Sequence, residues 1–479
     1  MIPVYASSRV RALDEAVIRG RGVPGRVLME LAGRQVADQL QARWPSGPVA
    51  VLCGPGNNGG DGYVIARWLS LWGRPVRVWA SGPPATEDAR ANAALAAELG
   101  LMVGGLDEAL RGAAVAVDAL LGTGQRSGPR GVILEAVRAL AEAPAVLAVD
   151  LPTGLDGDTG QPLGEAVVRA DLTVTLGAIK PGLLAEPGAT LAGALALADI
   201  GLSLAVRHDP GLARPDAQII EASDIQHWTI PVAPGAAKWD RGHVAVIAGG
   251  GAAVLAAHGA LAAGAGLVSL LAPRAEWDRL RGLRPDVILA ERDALRPERH
   301  DVIVLGPGLG TDPAAEALTR SLWTSFAGAM VVDADGLTAL SREALPSPAG
   351  PRVLTPHAAE AARLLGTHRA AVEADRFGAA AHLGALVPGG AALLKGRNTL
   401  IASGGGLWVN PTGSARLATG GSGDVLSGMV GALLASGQPP VRAAAIAAWR
   451  HGLAGEQLEP YASASDLLPI LRAGAGSAA

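Results

Sequence analysis

The sequence predicts an α/β protein of two successive units, each a parallel sheet covered by helices on both faces. Two patterns carry this expectation. Short apolar runs ending in Gly, Asn or Asp alternate with helical stretches along most of the chain, the layout of βα repeats. The rhythm breaks over 203–217, where Pro210, Gly211 and Pro215 cluster, and restarts at 242. At 479 residues the chain exceeds one ordinary domain, and the break divides it into residues 1–212 and 213–479.

Composition narrows the function classes. The formal net charge is −4, and no basic block or aromatic-interleaved stripe points to a nucleic-acid partner. Cys53 is the single cysteine, so no internal disulfide forms and a reducing, cytoplasmic compartment is expected. Met1–Tyr5 lacks the basic and apolar regions of a signal peptide. Residues 249–273 carry no formal charge, but Ala and Gly dominate them. They divide into a helix over 252–263 and a strand over 266–271, so they read as buried core and not as a membrane span.

Residues 10–20 and 27–44 read as helices, the second with Leu28, Leu31, Val36 and Leu40 on an apolar face. A strand over 48–53 enters Gly54-Pro55-Gly56-Asn57-Asn58-Gly59-Gly60-Asp61-Gly62, and a helix follows to residue 72. Strand, glycine loop and helix make a phosphate-binding βα turn, without the Gly-Lys-Ser/Thr ending of a P-loop. Further strands are expected at 76–80, 114–120, 145–151 and 172–176. Ligands of such sheets bind beyond the carboxyl ends of the strands. There stand Asn57, Asn58 and Asp61, then Asp118 with the 122–128 loop, then Asp150 with Pro152-Thr153-Gly154. Each acid alone reads as a cap or turn residue; at successive strand ends they point to one site. Oxygen donors from Asn58, Asp118 and Thr153, with one carboxylate among them, suit a monovalent cation. Arg126 and the glycine loops suit phosphates.

In the second half a strand over 243–248 precedes glycines and a helix from Ala252. Strands over 302–306 and 330–334 end in Gly306-Pro307-Gly308-Leu309-Gly310 and Asp333-Ala334-Asp335-Gly336. Another, from Val353, ends in Thr355-Pro356-His357, with Glu360 one turn on, and one over 391–395 enters Gly396-Arg397-Asn398-Thr399. Gly420-Gly421-Ser422-Gly423 then forms a tight turn opening a helix over 424–435, with Val425, Leu426, Met429, Val430 and Leu433 on its apolar side. A helix N-terminus offers an anion unpaired N–H groups and a favourable dipole. From this string Asp424 reads equally as an N-cap and as a base for a hydroxyl that attacks a phosphate. His357 alone reads as a structural histidine and Lys395 as a surface lysine. Beside a Gly-Asp anion hole, Lys395 and Thr399 read as nucleotide phosphate contacts.

Through Leu13-Asp14, Leu28-Met29-Glu30-Leu31-Ala32-Gly33, the 54–62 loop, the run from Val149 to Asp156 and Lys180-Pro181-Gly182, the first half resembles the NAD(P)H-hydrate epimerase family. The resemblance implies a Rossmann-like three-layer αβα domain with K⁺ at Asn58, Asp118 and Thr153. It implies substrate contacts from Asn57, Asn58, Gly59, Gly60 and Asp61, and from Gly122, Thr123, Gly124, Gln125, Arg126, Ser127 and Gly128. Asp150 would be the essential acid–base residue and Asp61 the second. The family usually has Ser where Thr153 stands; the hydroxyl is kept.

From Ile225 to Leu471 the chain resembles the ADP- or ATP-dependent NAD(P)H-hydrate dehydratases, of ribokinase-like α/β fold. The matching motifs are Gly-Pro-Gly-Leu-Gly, Asp-Ala-Asp-Gly, Thr-Pro-His-x-x-Glu, Lys-Gly-x-x-Thr and Gly-Gly-Ser-Gly-Asp-Val-Leu-Ser-Gly. The glycine loop after Ile247 is shorter than the family's. The resemblance implies that Lys395, Gly396, Arg397, Asn398, Thr399 and Gly423 bind ADP or ATP, with Mg²⁺. It implies that Ala252, Gly308, His357 and Asp424 face the hydrated nicotinamide. Together the halves imply a two-headed repair enzyme for hydrated NADH and NADPH. One half would interconvert the R and S epimers; the other would phosphorylate the S epimer's hydroxyl, with Asp424 taking its proton, and expel phosphate. The alternative is a ribokinase-like vitamin or sugar kinase fused to a non-catalytic binding domain, against which Asp61, Asp118 and Asp150 weigh. Partners are expected to be small molecules, and the assembly a homo-oligomer.

Overall fold

The computed structural model describes residues 1–206, 209–280 and 283–474. It divides into two compact units, Pro3–Asp216 and Ala217–Ala479 with Met1–Ile2.

The first unit opens with helices α1 (Ser7–Arg21) and α2 (Gly25–Arg43). On α2, Leu28, Val36 and Leu40 are buried as expected, but Leu31 is 45% exposed. Strand β1 (Val49–Cys53), helix α3 (Asn57–Leu71), β2 (Val76–Ala80), α4 (Glu87–Glu98), β3 (Val115–Ala119), α5 (Gly131–Leu140), β4 (Val146–Val149), β5 (Leu172–Leu176) and β6 (Ala194–Ala198) follow. The sheet runs β2-β1-β3-β4-β5-β6 and every pairing is parallel. Along β1 the side chains alternate. Val49, Val51 and Cys53 pack with Val36 and Leu40 of α2 and Ile65 and Leu69 of α3, while Ala50 and Leu52 pack with Ala136, Val137 and Leu140 of α5. Both faces are covered, which gives the three-layer, Rossmann-like arrangement. The strand order reverses between β1 and β3, the switch point where such sheets bind ligands.

The second unit contains β7 (Ala217–Ile219), β8 (His243–Ile247), α6 (Gly250–Ala262), β9 (Leu267–Leu271), β10 (Val287–Ala290), β11 (Val302–Leu305), α7 (Pro313–Ser325), β12 (Ala329–Val332) and α8 (Ala334–Leu340). It continues with β13 (Arg352–Leu354), α9 (Ala358–Leu364), α10 (Arg376–Ala385), β14 (Ala391–Leu394), β15 (Thr399–Ser403), β16 (Gly406–Asn410), α11 (Ser422–Ala435) and α12 (Pro440–Gln457). The sheet order is β7-β16-β15-β14-β13-β12-β11-β8-β9-β10. It is parallel except where β14, β15 and β16 meet antiparallel. One core joins Val244, Val246, Val304 and Val331 of this sheet to Ala256 and Ala260 of α6 and Val425, Met429 and Val430 of α11. Helices α6 and α11 meet through glycines: a Cβ on Gly259 would stand 2.2 Å from the Val425 carbonyl oxygen, and one on Gly428 1.9 Å from that of Ala256. That contact fixes where α11 begins relative to the strand ends. Among the described residues no helix is long and apolar enough to cross a membrane.

Candidate active sites

In the first unit α3 starts inside the glycine loop. Gly56 is its N-cap, so Asn57 to Asp61 form its first turns. The turn closes tightly because Gly59 lacks a side chain; a Cβ there would stand 1.9 Å from the Gly54 carbonyl oxygen. A cleft of ≈ 470 Å³ opens here, lined by Asp14, Asn57, Asn58, Asp61, Leu120 to Gln125 and Asp150. Thus α1, α3, the loop after β3 and the end of β4 converge on one space. Arg126 and Ser127 are exposed and do not line it.

Asp150 is anchored from several sides. Its Oδ1 accepts from Lys180 Nζ at 2.5 Å and from Leu176 N at 3.3 Å, and its Oδ2 accepts from Thr123 N at 3.1 Å. Lys180 is fully buried and also donates to Thr175 Oγ1 (3.0 Å) and the Leu176 carbonyl (2.9 Å). Asp150 adopts φ +69°, a left-handed conformation costing a non-glycine residue about 1–2 kcal/mol. The ion pair and both N–H donors hold it there. Asp61 is 7% exposed. Burial, then the Asp150 and Asp14 carboxyls, push its pKa well above the ordinary aspartate value. Asp14 is pushed up to about 6 by burial, with Lys180 opposing and Asp150 adding.

Asp118 is completely buried. Its Oδ2 accepts from Thr153 N (2.8 Å), and its Oδ1 from Thr153 Oγ1 (2.7 Å) and Leu120 N (3.2 Å). Burial raises its pKa to about 6 despite those donors. Thr153 Oγ1 accepts in turn from Leu121 N at 3.0 Å, so one hydroxyl ties two loops. Gln125 adds a second tie, its Oε1 accepting from Gly154 N at 2.7 Å. The Asn58 amide faces the same turn. Asn58 Oδ1 and Asp150 Oδ2 both lie within 3.1 Å of where a Cβ on Gly122 would stand, while Asn58 Nδ2 is buried without a partner. Asn58, Asp118 and Thr153 then offer amide, carboxylate and hydroxyl oxygens around the 120–122 turn, a donor set that fits K⁺.

In the second unit the polar strand ends also converge. Asp333, after β12, accepts from Lys395 Nζ at 2.9 Å through Oδ1 and from the Ser427 hydroxyl through Oδ2. Lys395 lies 3.9 Å from Glu360 Oε2 and 3.2 Å from where a Cβ on Gly423 would stand. Burial works against the Lys395 charge, yet Asp333, Glu360 and Asp424 hold its pKa above the ordinary lysine value. The expected phosphate lysine is therefore also the counter-ion of a carboxylate cluster.

Gly421, at φ +94°, caps α11, and Asp424 is its third residue. Asp424 is not the N-cap, since Gly421, three residues earlier, holds that position. Burial raises the Asp424 pKa to about 6; Asp333 adds to the rise, Lys395 opposes it, and Asp335 and Glu360 add again. A Cβ on Gly420 would meet nothing within 4 Å, so the turn is open in front of the helix. His451 donates from Nε2 to the Ser422 carbonyl at 3.0 Å, and burial pushes its pKa down to about 4. It is a neutral strut under the first turn.

His357 is a helix cap and is half exposed. Its Nδ1 accepts from Ala359 N (3.1 Å) and Glu360 N (3.2 Å), while Glu360 Oε2 accepts from His357 N (2.8 Å). With Nδ1 an acceptor, Nε2 carries the proton, 3.5 Å from Glu360 Oε1. The shortened loop packs on the Gly306–Gly310 turn: Gly249 N donates to the Pro307 carbonyl at 3.0 Å, and a Cβ on Gly308 would lie 3.4 Å from Ala252 Cβ. Ala252 and Gly308 are thus brought together. Asn398 takes φ +51°, and Thr399 Oγ1 donates to the Gly396 carbonyl at 3.0 Å, which rounds the 395–399 turn. Sequence reasoning gave no role to Asp14, Lys180, Ser427 or His451. Asp14 had a signal, an acid four residues after Val10 and three before Val17 on a buried stripe.

The chain matches the family description NAD(P)H-hydrate dehydratase over residues 244–472 and YjeF-related protein N-terminus over 25–182. It is 38% identical to a bifunctional NAD(P)H-hydrate repair enzyme of Thermanaerovibrio acidaminovorans, covering 98% of this chain and 96% of the relative. The enzyme of the same description from Escherichia coli is 39% identical over 85% of this chain and 80% of its own. An ADP/ATP-dependent NAD(P)H-hydrate dehydratase of Bacillus subtilis, co-crystallised with ATP and Mg²⁺, aligns with TM-score 0.51 at 25% identity, covering 55% of this chain and 99% of that one. A ribokinase-like superfamily protein of Enterococcus faecalis aligns with TM-score 0.51 at 23% identity over 55% and 97%, a likeness of fold. The chain belongs to the bifunctional NAD(P)H-hydrate repair enzymes, which join an epimerase and a dehydratase of hydrated NADH and NADPH in one polypeptide.

Proposed function

We propose that residues 1–212 epimerise the hydrated cofactor around Asp150 and Asp61, and that residues 213–479 dehydrate its S epimer around Asp424 with ADP or ATP. The observation that carries the second assignment is Asp424 itself. It is a half-buried carboxyl that does not cap its helix, at an open N-terminus beside Lys395. A nucleotide phosphate would lie against the 420–423 N–H groups, with Lys395, Gly396, Arg397, Asn398, Thr399 and Gly423 around it. Asp424 would accept the C6 hydroxyl's proton as that oxygen attacks the terminal phosphorus. Phosphate would then leave with the C6–O electron pair as the ring nitrogen's lone pair forms the C=N bond, and loss of a C5 proton would return that pair to nitrogen and form the C5=C6 bond. Ala252, Gly308 and the His357 Nε2–H would contact the hydrated ring's portion of the substrate. The ATP and Mg²⁺ of the Bacillus relative support nucleotide use; Mg²⁺ would arrive with the phosphates.

K⁺ at Asn58, Asp118 and Thr153 would supply fixed positive charge beside the 120–122 turn, where substrate oxygens would lie. Replacing K⁺ by Li⁺ should slow epimer exchange while leaving dehydration of the pure S epimer unchanged; equal rates of exchange in both salts would remove the cation from the site. A cytoplasmic homo-oligomer with small-molecule partners completes the proposal, in keeping with the single buried cysteine.

Asp424→Asn tests the central assignment. It should abolish recovery of dihydronicotinamide absorbance with either nucleotide and leave R–S exchange intact. Loss of both activities would contradict separate sites. The kinase alternative would require a stable phosphorylated product, and the two-family match favours repair.

A further inference from the structure

The epimerase cleft holds a carboxyl that the proposed chemistry does not use. Asp14 projects from the buried stripe of α1, between Val10 and Val17, and lines the cleft with Asp61 and Asp150. The basic residue one turn before it on its own helix is Arg11, and Val10, Val17 and Ile18 are its other neighbours at that spacing. Arg11, also lining the cleft, is turned to the Thr123 carbonyl at 3.2 Å. Among the described residues, Asp14 Oδ1 is shielded from solvent and has no hydrogen-bond partner. A buried, unpaired acceptor is destabilising, so its retention needs another reason.

We propose that Asp14 is a positioning residue of the epimerase that acts through Asp61: its carboxylate, lining the same cleft as Asp61 with one oxygen shielded from solvent, keeps a proton on Asp61 so that Asp61 donates to the departing hydroxyl. This rests on the reading of Asp61 as an acid–base residue. Exchange at C6 needs the hydroxyl to leave and return on the other face. The Asp61 proton moves to the hydroxyl oxygen, and the C6–O bond breaks with its electron pair leaving on water. The ring nitrogen's lone pair forms the C=N bond. Water then adds to the opposite face, the C=N electrons return to nitrogen, and the surplus proton returns to the carboxylates. The donor must hold its proton at neutral pH while Asp150 stays paired with Lys180.

The groups facing Asp61 bear this out. Asp150 and Asp14 both raise its pKa, after burial; Cys53 lies near it on β1, and Asp88 of α4 and Arg11 of α1 line the same cleft. Lys180 donates its hydrogen bonds to Asp150, Thr175 and the Leu176 carbonyl and reaches Asp14 through its charge alone. Among the described residues, Asp14 is the carboxyl acting on Asp61 whose Oδ1 has no hydrogen-bond partner.

The test is the pH profile of R-to-S conversion, followed by separating the epimers, in the full-length wild type and in Asp14→Asn, Asp14→Glu and Asp61→Asn. Removing the like charge lets Asp61 lose its proton sooner. The alkaline limb of kcat for Asp14→Asn should therefore move to lower pH by about one pH unit, with KM little changed. Asp14→Glu should restore the wild-type limb. A selective carboxyl ¹³C titration of Asp61 reads the same shift without turnover, should Asp14→Asn be slow. An unmoved limb and an unmoved Asp61 titration in Asp14→Asn, with Asp61→Asn inactive, would overturn the role of Asp14 alone. Full exchange activity in Asp61→Asn would instead overturn the reading on which it rests.

Discussion

Asp424 shows how a residue's role depends on what surrounds it. As a base it must be ionised, and burial with Asp333 raises its pKa to about 6. Dehydration should accordingly climb as pH rises through 6 and level off above it, measured as initial recovery rate on the S epimer at saturating nucleotide. Asp333→Asn, which removes a like charge, should move that limb to lower pH; a flat profile between pH 5 and 8 would exclude Asp424 as the base. The string Gly423-Asp424 alone left cap and base open. What favours the base is Gly421 as the cap together with Asp333, Lys395 and Glu360, residues 28 or more positions away in the chain. Asp118 and Thr153 are legible as neighbours because one stands at the carboxyl end of a strand and the other just past the next. Lys180 was legible only as part of a motif; that it neutralises Asp150 across 30 residues depends on the chain turning back after β5. His451 had no local signal, since it reaches Ser422 from the next helix.

At the scale of elements, apolar runs and glycine turns specified most of what was observed. β1 to β5 and the strands carrying the second site fall where alternation placed them, because buried parallel strands read as continuous apolar runs. β6 was not anticipated: Ala194-Leu195-Ala196-Leu197-Ala198 has weak strand propensity, and parallel pairing with β5 makes it a strand. The start of α3 was also displaced, since Asn57 and Asn58 belong to the helix and not to the loop. The crossing of α6 and α11 carries an energetic prediction. A methyl on Gly428 would lie 1.9 Å from the Ala256 carbonyl oxygen, so Gly428→Ala must force the helices apart. It should cost about 1–3 kcal/mol in urea unfolding and lower dehydration by displacing Asp424, with epimer exchange retained. Unchanged stability and dehydration would mean that the helices tolerate separation.

For the whole molecule, two sheets in one chain place two separate carboxylate sites at strand ends, each with one lysine paired to an aspartate: Lys180 with Asp150 and Lys395 with Asp333. The dehydratase consumes one epimer, and the epimerase supplies it from the other, so the pair of activities empties a mixed pool that either alone would leave partly unrepaired. The break in the strand–helix rhythm around 203–217 announced two units, while the division of chemistry between them became legible only through the family motifs. The most direct test incubates mixed R and S NADH-hydrate with Mg²⁺ and ADP or ATP and follows the dihydronicotinamide absorbance in the wild type and in Asp150→Asn. The wild type should restore the whole pool. Asp150→Asn should restore the S share at the wild-type rate and the remainder only at the spontaneous epimerisation rate. A wild type that stalls with the R share unrepaired, or an Asp150→Asn protein that clears the pool as fast as the wild type, would contradict the account.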